Sequence, residues 1–131
     1  MNIVYGGAFN PPQLAHLEIV RKLLSKYQNA KVIVLPVGNT YKKDELIAFN
    51  HRFNMLQLMF NNKDRVIVSN IEDKNVFNGT IASLDELSKT YDNLHLVIGS
   101  DHVETLNKWI KYEELLKKYP IIIMQRNNDN V

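Results

Sequence analysis

Gly6-Gly7-Ala8-Phe9-Asn10-Pro11-Pro12-Gln13-Leu14-Ala15-His16 decides how this 131-residue chain is read. The stretch follows a short apolar strand, Ile3-Val4-Tyr5, and opens an amphipathic helix. Strand, glycine-rich turn and helix N-terminus together make a phosphate-binding geometry. Glycine lets the backbone approach an anion closely, and the N–H groups of the first helical turn point at it. His16, at the start of that helix, is within reach of a phosphate held there. The spacing is neither GxGxxG nor the GxxxxGK of a P-loop, so the usual dinucleotide and P-loop readings fail.

Outward from this stretch, strand and helix patterns alternate. Strands are expected at Ile3–Tyr5, Lys31–Val37, Arg65–Ile71, Leu94–Gly99 and Pro120–Met124. Their continuous β-branched runs suit a parallel sheet covered on both faces. Helical spacing links Leu17, Val20, Leu24 and Tyr27, then Phe53, Leu56 and Phe60, then Ile81, Leu84 and Leu87. The region from His102 to Lys118 reads as two short helices, with Asp101 as an N-cap. This order predicts an α/β, Rossmann-like, doubly wound, mainly parallel five-stranded sheet with helices on both faces. Ligands of such sheets sit beyond the carboxyl ends of the strands, where the winding reverses. The loops after the first and fourth strands, Gly6–His16 and Gly99–Trp109, would flank that crevice.

Composition narrows the classes. The apolar content of 45% and charged content of 23% are those of an ordinary globule. A formal charge of +2 is too small to argue for a nucleic-acid surface. The absence of cysteine excludes disulfides, thiolate chemistry and cysteine zinc sites. No signal peptide and no membrane-length apolar run is visible, so a cytoplasmic protein with no membrane partner is expected.

The first segment resembles the GGxFxPxHxxH signature of the nucleotidyltransferase superfamily, with Gln13 in the place of the first histidine. Further boxes resemble the nicotinate mononucleotide adenylyltransferases. Pro36-Val37-Gly38-Asn39 with Lys43 is similar to their PxxNPPHK loop, and His51-Arg52-Phe53-Asn54-Met55-Leu56 to their HRxxML helix. Thr80-Ile81-Ala82-Ser83-Leu84 is similar to TIDTL. Gly99-Ser100-Asp101, with Trp109 and Glu113-Glu114-Leu115, is similar to the G-x-D…W…EEL stretch. The boxes keep the family's order along nearly the whole chain, so residues 1–131 read as one nucleotidyltransferase-like domain.

The resemblance implies adenylyl transfer from ATP to nicotinate mononucleotide, giving the deamido dinucleotide and pyrophosphate in the synthesis of NAD. The mononucleotide phosphate attacks the α-phosphorus in line, so catalysis is alignment and charge stabilisation. Magnesium would arrive on ATP, with no dedicated protein site. In this reading His16, Gln13 and Lys43 are catalytic, His16 through a charge-assisted hydrogen bond and Lys43 as a mobile point charge. Gly6, Gly7, Ala8, Phe9, Gly99 and Asp101 bind the nucleotide. Thr80, Trp109 and Ile110 meet the mononucleotide, Trp109 offering a flat face for a pyridine ring. The partners are ATP and a pyridine mononucleotide, without nucleic acid, with homo-oligomers an open expectation. His51 is expected to hold its helix to a neighbouring loop, and His95 to be tolerated in its strand.

The departures raise a rival reading, a catalytically impaired nucleotide-binding or regulatory relative. A phosphopantetheine-type adenylyltransferase is the further alternative, against which the Thr80 and Trp109 boxes speak. Thr40-Tyr41-Lys42 stands in place of Pro-Pro-His, and Ala82 in place of an aspartate. The family's C-terminal ISxxxxR segment is missing, which reads as a truncation, with weak triphosphate binding and self-association as its expected consequences. Gln13 reaches as far as histidine but carries no positive charge. Gln13→His should therefore raise turnover about tenfold, because roughly 1.4 kcal/mol separates charged from neutral donors. Steady-state rates decide it, and an equal or lower rate would show Gln13 adapted to a different geometry.

Overall fold

The computed structural model describes residues 1–38, 46–73 and 79–125. The elements run β1 (Asn2–Gly7), α1 (Leu14–Lys26), β2 (Lys31–Pro36), α2 (Phe49–Phe60), β3 (Val66–Val68) and α3 (Thr80–Leu87). They continue through β4 (Leu94–Gly99), a 3-10 segment (Ser100–Lys108), α4 (Tyr112–Lys118) and β5 (Ile121–Met124). All strand pairs are parallel, in the order β3-β2-β1-β4-β5. The expected doubly wound sheet is therefore present.

The alternation of side chains along each strand assigns the two faces. Ile3, Val32, Val34 and Val97 point to one face, where Val20 and Leu23 of α1 and Leu56 and Phe60 of α2 cover them. Val4, Ile33, Leu35, Leu96 and Ile98 point to the other, against Ile81, Leu84 and Leu87 of α3 and Leu115 of α4. Each of these buried apolar side chains stabilises the fold by about 1.5–3 kcal/mol relative to exposure. The chain winds from β1 outward to β3, then crosses back to β4. The crevice of the topological switch thus lies above the carboxyl ends of β1 and β4.

Several boundaries differ from the sequence reading. β1 is longer than Ile3–Tyr5, because Gly6 and Gly7 pair with Leu35 and Pro36 of β2. The two glycines end the strand instead of forming the turn. β2 stops at Pro36, and β5 starts only at Ile121. β3 is three residues long, not Arg65–Ile71: it is an edge strand with pairing only to β2. Arg65 turns away to donate to Ala30 O at 2.8 Å and Tyr27 O at 2.6 Å, closing the C-terminal end of α1. On α1, Leu23 is buried, while Leu17, Leu24 and Tyr27 are half-buried around it. The cap position of the 3-10 segment is Gly99, not Asp101, which lies in the first turn.

α3 and α4 are locked by polar contacts at their rim. The Tyr119 hydroxyl and the Lys118 ammonium both donate to the Asp85 carboxylate. The bond from Tyr119, first, and Lys118 hold the Asp85 carboxyl below its ordinary range, against burial. Burial and Asp85 push the Tyr119 hydroxyl up to about 12, so it remains a donor at neutral pH. Because the folded pKa of Asp85 is depressed, the stability it brings is present above its unfolded value, about 3.9. It is lost as pH falls through the lowered folded value. Tyr119→Phe should cost about 1 kcal/mol at pH 7, the worth of one hydrogen bond. In urea titrations the gap from the parent protein should shrink below pH 4; a gap independent of pH would show that the Asp85 bond contributes nothing.

Candidate functional site

The loop between β1 and α1 is shaped by what its main-chain carbonyls accept. Gly7 O accepts from Val37 N at 3.0 Å, which extends the β1–β2 pairing one step beyond the sheet. Ala8 O accepts from Arg52 Nη1 at 2.9 Å. Phe9 then takes φ 47°, in the left-handed region, and buries its ring. Tyr5 and His16 meet that ring edge to face, with centroids 5.4 and 4.8 Å away. Asn10 Oδ1 accepts from Ile47 N at 2.7 Å and ties the loop to the chain before α2.

Gln13 is the N-cap residue of α1. Its backbone N–H donates to His16 Nδ1 at 2.9 Å, while His16 N–H donates to Gln13 O at 3.0 Å. A backbone N–H can only donate, so Nδ1 is an acceptor and the ring proton resides on Nε2. His16 in this arrangement is a neutral Nε2–H donor, not the charged donor expected from the sequence. The main chain of Gln13, whatever its side chain, fixes the tautomer and the ring direction.

The structure brings the predicted residues together in two groups. Gly6, Gly7, Ala8, Phe9, Gln13 and His16 lie at the carboxyl end of β1. Gly99 and the exposed Asp101 lie at the carboxyl end of β4, its neighbour, on the same edge of the sheet. The second group gathers at the N-terminus of α3. Gly79 precedes Thr80 with φ 94°, and a Cβ there would stand 2.8 Å from Ile110 Cβ. Half-buried Trp109 packs on the α3–α4 core and meets His102 at 6.4 Å between ring centroids. Lys43, the third catalytic candidate, lies outside the described residues. Among the described residues no cluster of three or more His, Asp or Glu can hold a metal ion.

Two charged residues to which the sequence reading gave no role stand behind the site. Arg52, on α2, is wholly buried. Besides Ala8 O, its guanidinium donates to Val37 O at 2.7 Å and Ile47 O at 2.6 Å. Burial draws its pKa below the ordinary value, and the charge of Glu72 opposes that. Glu72, after β3, is buried too. It accepts from Ser83 Oγ at 2.9 Å, and its Oε1 has no hydrogen-bond partner among the described residues. Burial pushes the Glu72 carboxyl up, while Ser83, Gly38 and Arg52 pull it down. A signal for Arg52 does exist in the sequence: it shares a helical stripe with Phe49, Leu56 and Phe60, all buried. His51, expected to hold α2 to a loop, is exposed instead; its neighbour does that work. His95 is half-buried in β4, its Nδ1 3.2 Å from Asn93 O.

Comparison with known proteins agrees with this geometry. Residues 4–130 match the model of the cytidylyltransferase-like family. A probable nicotinate-nucleotide adenylyltransferase of Acholeplasma laidlawii is 43% identical over 98% of this chain and 69% of its own length. Another, of Caldicellulosiruptor bescii, is 33% identical over 96% of this chain and 65% of its own length. The chain thus spans about two thirds of these curated relatives. A solved structure, Plasmodium falciparum nicotinic acid mononucleotide adenylyltransferase complexed with NaAD, superimposes with a TM-score of 0.83 at 24% identity. It covers 99% of this chain and 67% of that one. It shares the fold.

The packing at Gly79 makes a direct test of the second group. Only glycine adopts its backbone conformation without strain, and Ile110 leaves no room for a Cβ. Gly79→Ala should lower the unfolding free energy by about 1–3 kcal/mol and move the Trp109 fluorescence maximum. Unchanged stability and emission would mean that α3 and the Trp109 segment do not depend on this contact.

Proposed function

Because the chain belongs to the cytidylyltransferase-like family and, within it, to the nicotinate-nucleotide adenylyltransferases, we propose that it transfers the adenylyl group of ATP to nicotinate mononucleotide. The mononucleotide phosphate oxygen attacks the α-phosphorus, the bond to the bridging oxygen breaks, and pyrophosphate leaves. No protein nucleophile takes part. The observation that carries the reading is the His16 ring, fixed by Gln13 N–H at the helix start beside the glycine strand end. Its Nε2–H supplies a preorganised donor to oxygen charge that grows at the α-phosphorus or the leaving group. The Gln13 side chain, exposed at the same helix start, adds a neutral amide donor.

The remaining roles follow from position. The ends of β1 and β4 take the nucleotide, with Gly6, Gly7, Ala8, Phe9, Gly99 and Asp101 around it. Thr80, Trp109 and Ile110, grouped at the N-terminus of α3, take the pyridine end of the mononucleotide. Lys43 keeps its phosphate role from the sequence alone. Magnesium enters with ATP as part of the substrate. No described helix is long and apolar enough to cross a membrane. The cytoplasm, where ATP is held, is the compartment this reading implies.

Pyrophosphate release from ATP with nicotinate mononucleotide, or with its amide, tests the assignment. The acid should be the better substrate. His16→Ala should lower kcat by about 10²–10³, the usual loss for one preorganised donor, with stability retained. Unchanged turnover in a folded His16→Ala protein would remove His16 from the mechanism. Absence of turnover in the parent chain, with ATP still bound, would favour the nucleotide-binding relative without catalysis.

A further inference from the structure

Arg52 sits where a charge is expensive. Withdrawing a guanidinium from water is costly unless it is paired and hydrogen-bonded. α2 nevertheless places it on a buried stripe, and three main-chain carbonyls from three separate segments converge on it: Ala8, Val37 and Ile47. The side with most to gain is the loop after β1.

In a trans peptide, C=O and the following N–H point in opposite directions. Gly7 O faces β2, where it accepts from Val37 N, so Ala8 N–H faces the β4 side. In a strand that continued, Ala8 C=O would also face β4. Instead it turns back to Arg52. The Phe9 N–H, in the same peptide, then points away from Arg52, and Phe9 follows with a left-handed φ. Two successive N–H groups on one side of a strand end form a concavity suited to an anion. Val37 is held at both ends, its N–H by Gly7 and its C=O by Arg52. Arg52 therefore acts on both peptides, one directly and one through Val37.

We propose that Arg52 is a positioning residue for the nucleotide phosphates: by holding the Ala8 and Val37 carbonyls it turns the Ala8 and Phe9 N–H groups toward the β1–β4 crevice. Arg52 itself never touches the ligand. Glu72, fixed by Ser83, lies close enough for its charge to oppose the effect of burial on the guanidinium. The inference rests on the phosphate-binding part of the proposed function and not on turnover, so it is tested by binding alone.

The experiment is amide NMR of the chain with ATP, with inorganic pyrophosphate and, separately, with nicotinate mononucleotide. In the parent protein ATP and pyrophosphate should shift the Ala8 and Phe9 amides downfield. In Arg52→Met, with its fold confirmed by circular dichroism, the ATP dissociation constant should rise at least tenfold and those shifts should vanish. Affinity for the mononucleotide should stay within about threefold. Should Arg52→Met not fold, Arg52→Lys keeps the charge without the fork and should show a smaller loss of the same kind. In Arg52→Ala, millimolar methylguanidinium should restore part of the ATP affinity. A folded variant with parental ATP affinity, or with Ala8 and Phe9 still shifting, would overturn the proposal. So would equal losses for ATP and mononucleotide, the mark of general loosening. A parent protein that turns over without shifts at Ala8 and Phe9 would overturn the positioning role while leaving the proposed reaction standing.

Discussion

A buried guanidinium with three carbonyl partners organises the end of the sheet where the chemistry is expected. Without Arg52, the loop after β1, the end of β2 and the chain before α2 would each lose the donor that their carbonyls share. With it, three segments remote in sequence are set at hydrogen-bond distances from one atom group. Apolar packing of the two sheet faces holds the strands, but it does not set the direction of a peptide at a strand end. The polar clamp does. Nearby, Gly38 lies so close to Glu72 that a Cβ on it would collide with the Glu72 main-chain carbonyl.

The start of α1, beside this clamp, carries no charged side chain in its first turn. Among the described residues at the helix start, the histidine accepts from a main-chain N–H and the cap residue is an amide. In the proposed reading such donors bind phosphate by direction more than by charge. Preorganised dipoles need no reorganisation when charge develops, which is why they serve phosphoryl chemistry well. The substitution of Gln13 for histidine is compatible with the arrangement because the bond that orients His16 comes from the main chain.

Much of the architecture was legible in the sequence because parallel strands buried on both faces announce themselves. Lys31–Pro36 and Leu94–Gly99 follow their apolar runs closely. β3 did not, since one-sided pairing at the edge leaves only three residues in ladder register. The strand end and helix start between Gly6 and His16 were legible, as local sequence makes them. The roles of Arg52 and Glu72 were not: the apolar stripe around Arg52 signals its burial, but only the tertiary arrangement supplies the carbonyls that accept from it. The same holds for the His16 tautomer, which depends on one backbone N–H.

The central claim is that nucleotide phosphates lie in the angle between the end of β1, the start of α1 and the end of β4. A crystal structure of the chain with a non-hydrolysable ATP analogue and nicotinate mononucleotide tests it most directly. The account predicts phosphate oxygens within about 3 Å of the Ala8 and Phe9 amides and of His16 Nε2, with Arg52 still bound to the Ala8 carbonyl and out of reach of the ligand. Phosphates seated elsewhere, or in direct contact with Arg52, would contradict it.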